Sequence, residues 1–371
     1  MISRTPLDPS RLSAAARRAL GPGPGRLMAA RGLVPLSSAD QVAVLYQLAL
    51  DSDAALAQAA QATAAALPER LLAGTLADPG IDPRVLDLFA GLVVGRPAAF
   101  DAIVLNPAVA DETIALLAAR ADARGIDLIA QNEQRVLRHP EIIAAMYMNR
   151  RARMSTIDRV VELAVRNDVR VPGLAAWDEV ARALSLGPSA GDRDDALIQS
   201  VLESAGDDGA LAGGDAEQIL PEVERPEVER PGEDREDPAF EKLSVPVKIR
   251  LASIGNAAIR AKAIRSPIKI VAMTAIKAPG VRDLEVVHYA GNRNLSEDVI
   301  RHIASKREWT KLYGVRVALC RNPKTPLVEA TRMLGLLRER DIQLLAKSKG
   351  VTSALVAQAR RLLLQRRGGK P

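Results

Sequence analysis

The chain is poor in the residues on which several classes of protein depend. It has one cysteine, Cys320, among 371 residues, which allows no internal disulfide and no multi-cysteine metal site. The apolar residues Val317 to Leu319 precede it and indicate a buried, unreactive thiol. Aromatic residues make up 2% of the chain, so we expect cores of Leu, Ile, Val and Ala, which suit close-packed helices.

Long apolar segments are also missing. No stretch reaches the roughly 20 apolar residues that are needed to cross a bilayer. Residues 1–10 are polar and contain two prolines, so they lack the apolar core of a signal peptide. The sequence therefore predicts a cytoplasmic protein.

Catalytic constellations are scarce as well. The three histidines, His139, His288 and His302, are not combined with carboxylates and cysteines at metal-ligand spacing. Ser266 and Lys269 fit the loose Ser-x-x-Lys pattern of some acyl-transfer enzymes, but the partner motifs are absent. We therefore predict a protein that is not an enzyme, with no catalytic residue, no metal site and no small-molecule cofactor.

Charge divides the chain into three parts. Residues 1–186 hold 20 basic and 20 acidic side chains, net 0. Residues 187–238 hold 4 basic and 16 acidic side chains, net −12, and residues 239–371 hold 27 basic and 9 acidic ones, net +18. The middle part has too little apolar residue content to offset the entropy cost of ordering, so it is predicted to be disordered.

These compositions predict four segments. Residues 1–33 are a flexible leader and residues 34–186 an N-terminal α-helical repeat domain. Residues 187–238 are an acidic Pro/Glu-rich linker, in which a short helix over Asp194–Ser204 fits the apolar spacing. Residues 239–371 form a basic C-terminal α-helical repeat domain.

The fold class predicted for both blocks is all-α. Apolar residues recur every three or four positions, as in the stripe Ile157, Val160, Val161 and Ala164, which is the period of an amphipathic helix. A capping residue precedes a proline at three places, which is typical of helix starts: Asp82-Pro83, Ser266-Pro267 and Thr325-Pro326.

One segment is ambiguous between helix and strand. Val247, Ile249 and Leu251 alternate with basic residues, as in a strand, but Val247 and Leu251 also fit a helix that begins after Ser244. We favour the helix.

The stretch Val315 to Leu334 contains the Asn322-Pro323 turn followed by Thr325-Pro326. It resembles one unit of a HEAT-like or leucine-rich-repeat-variant α-solenoid. The resemblance extends over most of residues 244–364 and more faintly over residues 70–166. It implies helix pairs stacked into a curved array that serves as a binding scaffold, with a minority of such arrays acting on DNA.

The basic C-terminal block carries the strongest functional signal, although solubility alone explains many surface charges. An array that displays one helix face continuously can align such charges into a stripe that attracts anionic partners. The candidate contacts are large or cationic residues of this block: Trp309, Tyr313, Arg316, Arg321, Lys324, Arg338, Arg340, Lys347 and Lys349.

Two functions compete for this surface. The first is a non-enzymatic scaffold or adaptor that binds a protein partner, including an acidic one. The second is binding to the phosphate backbone of nucleic acid, modulated by the acidic linker, which lies directly before the basic block and has a high effective concentration near it. An enzyme of unrecognised type is a third alternative.

Overall fold

The computed structural model describes residues 5–23, 25–184, 192–204 and 238–368. Within these ranges the secondary structure is helical and no strand is present, which confirms the all-α fold class. The predicted disorder of residues 187–238 lies outside the described residues, apart from the part that includes 192–204.

The chain divides into two compact units, Met1–Leu174 and Ala175–Pro371. The helices of the first unit are α1 Ala14–Ala19, α2 Gly25–Ala30, α3 Ser38–Ala49, α4 Ala54–Ala66, α5 Glu69–Leu76, α6 Pro83–Ala90, α7 Pro97–Leu105, α8 Asp111–Ala118, α9 Ala123–Ala130, α10 Glu133–Arg138, α11 Glu141–Met148 and α12 Met154–Arg166. Those of the second unit are α13 Trp177–Leu184, α14 Asp192–Ser204, α15 Pro238–Glu241, α16 Val245–Ile254, α17 Ala257–Ala263, α18 Lys269–Lys277, α19 Asp283–Gly291, α20 Glu297–Ser305, α21 Tyr313–Arg321, α22 Leu327–Leu334, α23 Glu339–Lys347 and α24 Ser353–Gly368.

The predicted helix starts are confirmed only in part. Asp82 is the N-cap of α6, and its carboxylate accepts a hydrogen bond of 3.0 Å from the Arg84 N–H. Ser266 is not a cap, because α18 begins at Lys269. Thr325 is not the cap of α22 either. It is buried, and its hydroxyl donates to the Leu319 carbonyl at 2.6 Å, which closes the end of α21 instead.

The ambiguous segment around Val247 is a helix, α16, with Ser244 at its N-cap. Every residue from Pro246 to Ile254 is buried, including Lys248 and Arg250. The helix contacts α13, α17 and α18, so it is covered on several sides. A helix without a solvent-exposed face needs no 3.6-residue apolar period, which is why its sequence also resembled a strand.

Two predicted boundaries need correction. Residues 7–33 are not a flexible leader, because Leu7, Leu12 and Ala16 are buried and α1 and α2 pack against α3 and α4.

The break between the blocks lies at residue 174, not 186. Helix α13 packs on α16 and α18, and its Glu179 carboxylate accepts a 2.8 Å hydrogen bond from Lys277. The predicted break at residue 186 followed the change in net charge along the sequence, which does not report which helices pack together.

A recurrent contact fixes the stacking of three pairs of helices. Helices α5 and α7 pack together, as do α8 and α11, and α19 and α21. In each pair the later helix ends at a buried asparagine, Asn106, Asn149 or Asn322. Each side-chain amide donates to two carbonyls, one in the last turn of the earlier helix and one just beyond it, 28 to 32 residues back along the chain.

The same asparagines also shape their own turns. The Oδ1 atom of each accepts a hydrogen bond of 2.8–3.0 Å from the N–H two residues later. One side chain thus donates to a terminal carbonyl of one helix and to a carbonyl of the turn after it, and it also turns the chain after a later helix. We call this arrangement the asparagine bracket.

We predict that Asn322→Ala lowers the free energy of unfolding by about 2–3 kcal/mol, because the buried Ala290 carbonyl and the half-buried Asn292 carbonyl lose their donor. Urea denaturation followed by far-ultraviolet circular dichroism measures this change. The control is Asn167→Ala, which removes one hydrogen bond from an exposed side chain and should cost less than about 0.5 kcal/mol. Equal losses for the two variants would contradict a special role for the bracket.

Candidate binding surface

The structure does not place the nine predicted contacts on one stripe. Trp309 is buried, with 8% of its surface exposed, which corrects its assignment to a binding surface. His302 packs edge-on against its ring at 5.9 Å, and the Lys306 ammonium lies 4.3 Å from the ring centre. Trp309 therefore anchors the turn between α20 and α21 and offers no open face to a partner.

Tyr313 is the centre of a polar cluster that brings α21 and α23 together. Its hydroxyl donates to the carboxylate of Asp341 and accepts a 3.1 Å hydrogen bond from the Arg338 N–H. The guanidinium of Arg338 lies 4.5 Å from the ring centre, and that of Arg316 lies 5.8 Å away. Arg321 approaches the same carboxylate at 3.7 Å. We call Tyr313, Arg316, Arg321, Arg338 and Asp341 the Tyr313 cluster.

The chemistry of the cluster is that of a positively charged contact surface. It contains three guanidinium groups and one carboxylate. Partial burial and the hydrogen bond to Asp341 raise the pKa of the Tyr313 phenol, so the hydroxyl remains a donor. Asp341 was not predicted from the sequence, although its 28-residue distance from Tyr313 matches the interval between stacked helices.

The remaining cations lie elsewhere. Lys324 follows α21, and its ammonium donates to the Leu295 carbonyl at 2.6 Å. Lys347 ends α23 and Lys349 follows it, whereas Arg338 and Arg340 lie at the start of that helix. Nine helical residues separate the two ends by about 13 Å. The predicted stripe is thus two groups, one at the start of α23 and one at its end.

The two groups differ in their relation to the helix dipole. Cations at a C-terminus, such as Lys347, are favoured by the partial negative charge there. Arg338 is the N-cap of α23 and Arg340 lies in its first turn, where a positive charge is unfavourable. Local helix stability therefore explains Lys347 and does not explain Arg338 or Arg340. This contrast makes the group at the start of α23 the better candidate for a functional site.

Few of these cations are neutralised within the chain. Of the seven predicted basic contacts, Arg321 alone has a carboxylate within 4 Å among the residues that the structure describes. Arg338, Arg340, Lys347 and Lys349 are exposed. Exposed cations without a fixed counter-ion are available to an anionic partner.

Metal-ligand side chains are not grouped together in the part of the chain that the structure describes. In the described ranges, no group of three or more His, Cys, Asp or Glu side chains is placed to hold a metal ion. Burial raises the pKa of the Cys320 thiol to about 12, so it stays protonated at neutral pH. None of the described helices is long and apolar enough to cross a membrane.

Comparisons of the chain with family models, with curated proteins and with solved structures give no match.

His302 lies on α20, where it is half-buried beside the Trp309 ring. Burial lowers the pKa of its imidazole, and the positive charges of Lys306 and Lys277 lower it further, while Glu179 opposes them. The folded unit therefore favours the neutral ring. Since the unfolded chain binds a proton more readily, the contribution of His302 to stability is complete above about pH 6.5 and falls as the pH decreases below it.

We predict that His302→Phe reduces the loss of stability between pH 7.5 and pH 5.5, because the variant keeps the aromatic contact with Trp309 and cannot take up a proton. Urea midpoints at the two pH values measure the difference. His288→Gln alters an exposed histidine and should keep the pH dependence of the parent chain. An unchanged pH dependence in His302→Phe would show that other groups cause the loss.

Proposed function

We propose that the chain is a non-enzymatic helical-repeat scaffold of the α-solenoid type, whose second unit binds an acidic protein partner. The proposal includes a cytoplasmic location. The observation that carries it is the surplus of unneutralised cations on α20–α24. Residues 297–368 hold 16 basic and 6 acidic side chains, net +10. The helical-repeat part of the proposal is supported by the asparagine brackets, which join helices about 30 residues apart.

The few carboxylates in this region are mostly occupied. Glu297, Glu329 and Asp341 pair with arginines of the same region, at 2.5, 2.5 and 3.7 Å, and Asp298 pairs with Lys269 at 2.9 Å. The surplus therefore cannot be balanced by rearranging local side chains. A partner that brings carboxylates to Arg338 and Arg340 would form charge-assisted hydrogen bonds and relieve repulsion between the cations.

Exposed apolar side chains near these cations favour a protein partner. Val328, Leu336 and Leu364 have 78%, 62% and 71% of their surfaces exposed. Arg366 donates to the carbonyls of Gly335 and Leu337, which brings the end of α24 beside the end of α22. Arginines next to apolar side chains are typical of protein interfaces.

Nucleic acid is the second candidate, since phosphates also bind unneutralised cations. Base stacking receives no support from the described aromatic residues of this unit. Trp177, Phe240, Tyr289 and Trp309 are buried, and the Tyr313 ring is stacked on Arg338. The nucleic-acid alternative is therefore contact with the phosphate backbone of a duplex, modulated by the acidic residues 187–238.

A binding experiment with the full chain compares three probes: an acidic peptide that contains Leu and Val, poly-glutamate of equal charge, and a 20-base-pair DNA duplex. We predict the tightest binding for the mixed acidic peptide, because it satisfies cations and apolar side chains together. Lys311 is exposed in the turn before α21, and its carbonyl accepts a hydrogen bond from Arg316 of the Tyr313 cluster. The triple variant Lys311→Gln, Arg338→Gln, Arg340→Gln should weaken binding of this peptide at least about tenfold, which corresponds to about 1.4 kcal/mol.

The matched control is Arg31→Gln, Arg120→Gln, Arg159→Gln, which removes three exposed charges from the first unit and should leave the affinity unchanged. Tightest binding to the duplex, with a steep loss of affinity between 50 and 200 mM salt, would instead establish the nucleic-acid alternative. No binding to any probe would contradict both.

A further inference from the structure

The acidic segment is attached at both ends to the same unit. Helix α14 precedes it, with Ile198 and Val201 buried, and contacts α16. Helix α15 follows it, with Phe240 buried, and its Glu241 carbonyl accepts a 2.7 Å hydrogen bond from Lys248 of α16. Both anchors belong to the unit Ala175–Pro371. The segment between them, residues 205–237, is therefore an insertion in the second unit and not a linker between the two units.

The charge of this insertion complements that of the candidate binding surface. Residues 205–237 hold 12 acidic and 3 basic side chains, net −9, against net +10 for residues 297–368. Apolar residues are interspersed with the carboxylates, among them Ile219-Leu220, Val223 and Val228. The insertion thus has the two properties proposed for the partner, namely carboxylates and apolar side chains in one segment.

The insertion is also long enough to reach the surface. Its 33 residues have a contour length of about 110 Å, so its middle extends up to about 50 Å from the anchors. A compact unit of this size has a radius of gyration of about 16 Å. Because both ends are tethered, binding of the insertion to the cations would be intramolecular, with an effective concentration on the order of millimolar.

We propose that residues 205–237 bind, within the same chain, to the cations at the start of α23 and in the turn before α21, Lys311, Arg338 and Arg340. This inference rests on the proposed function, because the insertion occupies the same surface that we assign to the acidic partner. The partner and the insertion then compete for these cations, and the competition weakens as salt screens the charges.

Limited digestion with a glutamate-specific protease tests the contact without any partner. At 20 mM salt we expect cleavage within residues 205–237 to be at least about tenfold slower in the parent chain than in the triple variant Lys311→Gln, Arg338→Gln, Arg340→Gln, since a tenfold difference corresponds to about 1.4 kcal/mol of protection. The difference should vanish at 0.5 M salt. The first-unit control Arg31→Gln, Arg120→Gln, Arg159→Gln should be cleaved at the parent rate. Equal cleavage of all three proteins at low salt would overturn the proposal.

A second measurement separates this inference from the proposed function. Residues 206–236 are replaced by a short Gly-Ser loop, which leaves both anchors in place, and a synthetic peptide of residues 205–237 is added. We expect saturable, salt-sensitive binding that the triple variant loses, and at least about tenfold tighter binding of the mixed acidic probe than the parent chain shows. Binding of the peptide without binding of external probes would support the insertion contact and contradict the partner. Failure of the peptide to bind, with probe binding unchanged by the deletion, would support the partner and contradict the insertion contact.

Discussion

The stability of this fold depends on whether the carbonyl groups at buried helix ends find hydrogen-bond donors. An α-helix leaves its last four carbonyls without donors inside the helix, and a stack of short helices has many such ends for its length. Water is excluded where the ends are packed together, so each carbonyl needs a donor from the protein. In this chain the amide of a buried asparagine supplies it for the helix one repeat back. Because the donor and its acceptors lie on different helices, the bracket fixes their relative register as well as their hydrogen bonding.

This register has a consequence for the surface of the second unit. Asn322 fixes the end of α21 against the end of α19, and the contact between Tyr313 and Asp341 joins α21 to α23. Arg338 and Arg340 are thereby held near the positive end of α23, where they cost some local stability. A buried network elsewhere in the unit is fully neutralised: Arg260 binds Glu285 through two hydrogen bonds of 2.7 and 3.0 Å. The surface of α20–α24 thus keeps a net charge of +10, whereas the buried Arg260 is paired with a carboxylate.

The sequence predicted the helical class and some helix starts, because those depend on local chemistry. A carboxylate before a proline makes a good N-cap wherever it lies, as Asp82 shows. The short helix expected over Asp194–Ser204 is also present, as α14. Predictions that depended on tertiary contacts were less successful. Thr325 has the pattern of a cap, but a carbonyl six residues earlier takes its hydroxyl.

The candidate site shows the same division. The Asn-Pro turns at Asn106 and Asn322 were visible as motifs, whereas Asn149 has no following proline and was not associated with them, although it makes the same bracket. The sequence identifies the basic residues. Which of them lie together in space depends on the direction and stacking of the helices, which the sequence does not show. Trp309 was selected for its size, which burial equally explains. Asp341 was missed because an acidic residue in the first turn of a helix is common and does not by itself indicate a contact with another helix.

The net charge of the chain conceals the electrostatic property that these features create. When each segment is counted with the unit it is attached to, residues 1–174 have 19 basic and 18 acidic side chains, and residues 175–371 have 32 and 27. The second unit then carries only +5, although it contains both the most acidic and the most basic parts of the sequence. Its charges are separated along the chain, not absent, and opposite charges within about one Debye length attract each other appreciably. If residues 205–237 bind these cations as we propose, ionic strength would weaken that contact inside one unit as well as the binding of an external partner.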